Sequence, residues 1–174
     1  DPVGLLLSHR ADWAIVSDVE QNDDVLFKPL FSYEMVGICS KDHPLANKEV
    51  WQAEDFAEET WVTYPVPDDM LDLYRQVLKP KGINPPRRTT ELTIALIQLV
   101  ASRRGIATVP YWAALPYLEK GYVVARKITE EGLFSNLYAA IRKEDANLAY
   151  IEDFHQTVKA QSFSTLPGLS VLEL

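Results

Sequence analysis

The stretch Glu91–Trp112, ELTIALIQLVASRRGIATVPYW, constrains the fold of this chain more than any other. Apolar side chains at Leu92, Ile94, Ala95, Leu96, Ile97, Leu99 and Val100 run nearly all round a helix, which predicts a helix buried over most of its surface. Thr89 or Thr90 is placed to cap it and Glu91 to sit in its first turn. Arg103 and Arg104 fall in its last turn, and Gly105 is expected to supply the left-handed stop. Ile106–Val109 then reads as a short buried strand; Pro110 ends it and can open the next helix. A buried helix, a glycine and a buried strand make half of an α/β unit. The N-terminus of such a helix suits a small anionic ligand.

Around this unit the sequence predicts strands at Asp12–Ser17, Tyr33–Ser40, Trp61–Tyr64, Tyr122–Ile128 and Ser135–Arg142, with Arg87–Thr90 as a short edge strand. Val25–Phe31 reads as extended, with Pro29 unable to take a central sheet position. Helices are predicted at Val3–Leu7, at Ala53–Glu59, and from about Tyr111 with a disturbance at Pro116. Asp68–Leu78 reads as an amphipathic helix with Met70, Leu71, Tyr74, Val77 and Leu78 on one face. Leu148–Phe163 reads as a half-buried helix through Leu148, Ile151, Phe154 and Val158. Val19–Asp24 is a polar loop, and the tail Ser164–Leu174 is loose or docks through Leu169, Val171 and Leu172. Alternation of strands and helices implies an α/β class with largely parallel strands. Polar breaks near Phe31-Ser32 and Glu131–Ser135 predict two Rossmann-like lobes joined by two crossings. Residues 1–32 and 136–174 would form lobe I and residues 33–135 lobe II, with the ligand site in the cleft between them.

The 174 residues suffice for real cores, and 47% hydrophobic with 24% charged content is ordinary for a globular protein. A net charge of −8 argues against this segment gripping a phosphate backbone by itself. Cys39 is the single cysteine, so no internal disulfide can form and nothing points to an oxidising compartment. No apolar run could span a bilayer and the start lacks signal-peptide character, so a cytoplasmic location and no membrane partner are expected.

Familiar catalytic patterns are absent: there is no Gly-x-Ser-x-Gly, no glycine-rich phosphate loop, no His-Glu-x-x-His and no Cys-x-x-Cys. No enzyme activity, metal or cofactor is therefore expected. His9, His43 and His155 are scattered and read as structural or solvent-facing, and Cys39 reads as a small buried hydrophobe. The adjacent carboxylates Glu58-Glu59, Asp68-Asp69 and Glu130-Glu131 diverge along the chain and read as caps and turns. What remains is a set of small polar groups at strand ends and helix starts. Ser17 and Asp18 end one strand, Thr63, Tyr64 and Pro65 another, and Thr90 and Thr93 open the long helix. Ligands of open α/β sheets sit at such places. Each residue alone is as well read as capping chemistry; the cluster makes the case for a site that suits a zwitterionic or carboxylate ligand.

Asp12-Trp-Ala-Ile-Val16, His43-Pro-Leu-Ala46, and Gly105-Ile-Ala107 followed by Val109-Pro110 resemble, in this order, the effector-binding domain of LysR-type transcriptional regulators, a fold similar to type 2 periplasmic binding proteins. Thr63–Val66, Leu96–Ala101, Arg104–Ala107, Gly132–Ser135, Leu137–Ala140 and Leu166-Pro167 look like the methionine-biosynthesis activators of that family. The resemblance implies a domain that binds homocysteine between its lobes and assembles as a homodimer or a dimer of dimers. It also implies that DNA is bound through a winged helix-turn-helix lying outside this chain, and that lobe I is N-terminally incomplete. A LysR-type domain sensing another small metabolite, a periplasmic solute-binding protein, and an enzyme on the same scaffold stay open as alternatives.

Overall fold

The computed structural model describes residues 1–19 and 22–172. Glu20 and Gln21 of the predicted polar loop and Glu173 and Leu174 of the tail lie outside the described residues. In chain order the elements are α1 (Pro2–Leu7), β1 (Ala14–Val16), β2 (Val25–Cys39), β3 (Val50–Trp51), β4 (Trp61–Thr63), β5 (Arg87–Thr89), α2 (Thr93–Ala101), β6 (Ile106–Pro110), α3 (Tyr111–Glu119), β7 (Val124–Ile128), β8 (Leu133–Arg142), α4 (Ala149–Thr165) and β9 (Leu169–Ser170). The chain divides into two compact units, Asp1–Tyr33 with Ser135–Leu174, and Glu34–Phe134. Tyr33/Glu34 falls inside β2 and Phe134/Ser135 inside β8.

The Glu34–Phe134 unit is built on a sheet in the order β3-β7-β2-β6-β4-β5. Its strands β4 and β6 are buried on both faces, which is why they read as continuous apolar runs. Successive residues point to opposite cores. Trp61 and Ile106 join Cys39, Trp51, Phe56, Leu73 and Leu78 on one side. Val62, Ala107 and Val109 join Val36, Ile38, Leu96, Ile97 and Val100 on the other. The first core is covered by short turns (Pro44–Asn47, Ala53–Phe56) and the irregular helical stretch after β4; the second is covered by α2 and α3. Gly37 is required where β2 passes Trp51, since a Cβ there would meet the indole at 2.4 Å.

In the other unit β8 lies between β1 and β2, β1 pairs antiparallel with β8, and β9 pairs with β2 at Ser32 and Tyr33. Leu169 thus docks the tail, while Val171 is 65% exposed. Leu6, Val25 and Ala140 form a small core with Val3, Ala14, Val16 and Phe27 against it. Arg142 is 6% exposed beside them and donates to Leu6 O, Ala11 O, Asp12 and Asp145.

Several local expectations are corrected. The two predicted strands around Phe31-Ser32 are one fifteen-residue strand, β2. Ser32 does not interrupt it because its hydroxyl donates to Ser135 O at 3.3 Å. The pairing is mixed: β4–β5, β4–β6 and β3–β7 are parallel, whereas β1–β8, β2–β6, β2–β7 and β2–β9 are antiparallel. The predicted helix over Asp68–Leu78 is broken into a 3-10 turn at Asp68–Met70, an extended Leu71 and a π-helical turn at Tyr74–Leu78. Leu73 is buried and Met70 is 59% exposed, so the buried stripe starts three residues later than the helical period implies. In α4 His155, not Phe154, shares the buried face with Ile151.

The central helix differs too. It starts at Thr93 with Leu92 in the cap position, so Thr89, Thr90 and Glu91 precede it. Leu96, Ile97 and Val100 are buried, but Leu92 and Ile94 are 62% and 56% exposed. The left-handed residue after the helix is Arg103, at φ 59°. Gly105 has φ +150° and serves a different need: a Cβ there would stand 2.2 Å from Thr60 O, which accepts the Ile106 amide and starts β6 beside β4.

Candidate functional site

Four of the predicted residues converge in the Glu34–Phe134 unit. Thr63 ends β4 and is 5% exposed. Its carbonyl accepts the Thr90 amide at 3.0 Å, which joins the end of β4 to the residue after β5. Tyr64 follows, and its hydroxyl is 2.7 Å from Thr93 Oγ1 at the first position of α2. Pro65 is exposed and turns the chain away, with the Val66 amide donating back to Tyr64 O at 2.9 Å.

The start of α2 has the electrostatics expected of a helix N-terminus. The first intrahelical bond runs from the Leu96 amide to Leu92 O. The amides of Thr93, Ile94 and Ala95 precede it, and Leu92 supplies no side-chain cap. Partial positive charge from these amides, with the Thr93 and Tyr64 hydroxyls as neutral donors and acceptors, can receive a carboxylate. Exposed Leu92 and Ile94 place apolar surface on the same helix turn.

Ser17 and Asp18 belong to the other unit, just beyond β1. Both are exposed, and Ser17 Oγ donates to Asp18 Oδ2 at 3.3 Å. They are therefore not among the four residues joined around Thr63 and Thr93.

Two concavities elsewhere carry cations bound to the chain's own acceptors. One of about 240 Å³ is lined by Leu7, His9, Asp24, Arg142, Lys143 and Glu144. Its Arg142 is fully engaged and Lys143 donates to Asp23 O at 3.0 Å. Another of about 510 Å³ is lined by Ala46, Asn47, Glu49, Ala125, Arg126 and Lys127, with Arg126 donating to Ala46 O and Ala125 O. Neither includes a predicted effector residue.

The isolated reactive residues have structural surroundings. Burial pushes the Cys39 thiol up to about 11, against the opposing pull of Arg126, so it stays a thiol at neutral pH. His43 Nδ1 accepts the Leu45 amide at 3.2 Å and caps the Pro44–Asn47 turn, while Nε2 lies 3.2 Å from Glu59. Among the described residues no three His, Cys, Asp or Glu side chains are grouped to hold a metal ion, and no helix is long and apolar enough to cross a membrane.

A residue that the sequence did not point to is Arg87. It stacks on Trp61 and Tyr74 and pairs with Asp68, four residues after Tyr64. An arginine two positions before Thr89 on an edge strand gives no hint of this, because all its partners are remote in sequence.

Residues 1–162 match the LysR substrate binding domain. The HTH-type transcriptional regulator MetR of Haemophilus influenzae is 84% identical over 174 residues, which is 100% of this chain and 56% of that protein. The chain therefore spans about half the length of the curated relatives it matches. The regulatory domain of MetR from N. meningitidis, a LysR family regulator, superposes with a TM-score of 0.93 at 65% identity, covering 99% of this chain and 80% of that one. The effector binding domain of QuiR in complex with shikimate shares the fold, with a TM-score of 0.74 at 23% identity over 91% of this chain and 77% of that chain. The mixed sheet flanked by helices is thus the type 2 periplasmic-binding-protein-like fold, and the chain belongs to the LysR substrate-binding domain family.

Proposed function

We propose that this chain is the effector-sensing part of a cytoplasmic regulator of methionine biosynthesis, that its effector is homocysteine, and that the effector carboxylate docks at the start of α2. The observation that carries the site is the convergence of Thr63, Tyr64, Thr90 and Thr93 on one helix N-terminus. Support for the effector class comes from relatives named MetR at high identity. Pro65 bounds this group, and we assign Ser17 and Asp18 to the effector site as well, on the family resemblance. DNA binding would fall to a segment outside this chain, with a homodimer or a dimer of dimers as the working unit. An effector biases such an assembly only by its differential affinity for two arrangements.

Calorimetric titration with homocysteine, against methionine and cysteine, tests this. Saturable binding selective for homocysteine is expected. Tyr64→Phe and Thr93→Ala should each weaken it by about tenfold, the loss of one good polar contact. A folded protein, extended to the length of its relatives, that takes up no homocysteine would overturn the effector assignment.

A further inference from the structure

We propose that Arg87 is the positioning residue of this site, tying both of its polypeptide arms to one fixed base. This rests on the effector function proposed above. Arg87 lies on β5 opposite Trp61 of β4. Its guanidinium carbon is 5.0 Å from the Trp61 ring centroid and 5.1 Å from that of Tyr74. Trp61 is 1% exposed and belongs to the larger apolar core, so the stack is anchored to that core.

From that anchor Arg87 reaches two arms. Its Nη1 donates to the Asp68 carboxylate. Residues 65–70 are all exposed, and among the described residues their backbone bonds are local ones, such as Val66 to Tyr64 and Met70 to Pro67. Asp68 thus fastens to the sheet a loop that begins at Tyr64 and Pro65. A second tie, Lys79 to Asp69, is more open to water and salt, with side-chain exposures of 55% and 70%. The other arm is β5 itself, which continues from Arg87 through Thr89 to Thr90, whose amide binds Thr63 O.

An arginine suits this position and a lysine does not. A planar cation can lie against two rings and still present an N–H to a carboxylate, whereas an ammonium is a hydrated point charge. Without the clamp the arms keep their sequence and their local bonds but lose a shared reference, and a ligand must then supply the ordering itself.

Amide hydrogen exchange with mass spectrometry, on the chain and its variants, decides this. In Arg87→Met and Asp68→Asn, exchange at the hydrogen-bonded amides of Val66, Met70 and Thr90 should rise by about tenfold or more, with the β6 amides unchanged. Arg87→Lys should fall between these and the parent, and Asp69→Asn should stay within about twofold of it. Homocysteine affinity should fall by about tenfold in Arg87→Met and Asp68→Asn. Unchanged exchange in both arms of a folded variant overturns the clamp, and so does an equal rise throughout Glu34–Phe134. Should Arg87→Met fail to fold, Asp68→Asn decides. If the unaltered protein binds no homocysteine, the effector assignment falls while exchange still judges Arg87.

Discussion

Trp51 and Arg142 hold comparable places in their two units, yet they are stabilised by different physics. Each is a large side chain withdrawn from water, at 0% and 6% exposure. Trp51 packs edge-on to Phe56 at 5.7 Å, lies against Gly37, and spends its single polar atom on Leu45 O at 3.0 Å. Arg142 instead satisfies its guanidinium with two carbonyls and two carboxylates from α1, the loop after it and the turn after β8. The Glu34–Phe134 unit has enough apolar matter to enclose aromatic side chains on one face of its sheet and aliphatic ones on the other. Its companion has a smaller core and buries Arg142 and His155 alongside Leu6, Leu30 and Ile141. The difference teaches that sensitivity to volume should concentrate in one unit, and sensitivity to charge and pH in the other.

Removing Trp51 is the strongest test of the first half. Trp51→Ala leaves an indole-sized void between β2 and the Ala53–Phe56 turn, and a loss of about 3–5 kcal/mol in urea unfolding is expected. A loss within the range of an ordinary surface substitution would break the comparison. Arg142→Met tests the second half. It keeps much of the side-chain volume but strands the Leu6 and Ala11 carbonyls and the Asp145 carboxylate, so a loss of roughly 3 kcal/mol is expected by the same measurement. Arg142→Lys should recover less than half of it, since one ammonium cannot serve four partners spread around a fork. Full recovery by lysine would show that charge alone matters there.

The smallest effect is the pH dependence carried by His155. The residue is 4% exposed and, among the described residues, its Nδ1 has no hydrogen-bond partner. Burial, then the positive charge of Lys28, pull its pKa below the usual 6.5; Glu152 opposes them and Lys159 adds to them. The folded state therefore resists protonation that the unfolded chain accepts. The stability is fully present above about pH 6.5 and declines as pH falls from there through the lower folded-state value. His155→Gln should flatten the fall in stability between about pH 7.5 and 5.5, as followed by thermal melting at several pH values. An identical slope in the variant would assign the pH sensitivity to other groups.

The α2 region shows what could be read from the chain and what could not. Apolar density marks a helix followed by a buried strand, and both exist. The cap could not be placed, because Thr89 and Thr90 are good capping residues that β5 and the Thr63 carbonyl take instead. Gly105 looks like a helix stop, yet the demand on it comes from Thr60, forty-five positions earlier. The break in the Asp68–Leu78 helix has a similar origin: Asp68 and Asp69 are held by Arg87 and Lys79, which pins the first turn apart from the second. Thr63, Tyr64, Thr90 and Thr93 were legible as strand-end and helix-start hydroxyls, and the structure brings them together; Arg87 was not, because stacking on two rings leaves no spacing in the sequence.

By itself the sequence determined the α/β class, the order and kind of most elements, the single buried thiol and the family. The family follows from the resemblance of short motifs in order, and the others from periodicity and composition within a short window, where the hydrophobic effect acts on neighbours along the chain. The tertiary structure decided the mixed strand directions, the single long β2, the close approach of Gly105 to Thr60, the four bonds of Arg142 and the stack of Arg87 on two rings. These depend on partners tens of residues away, and hydrogen bonds and ring contacts are specific in direction and distance. Only the closed fold sets which donor meets which acceptor.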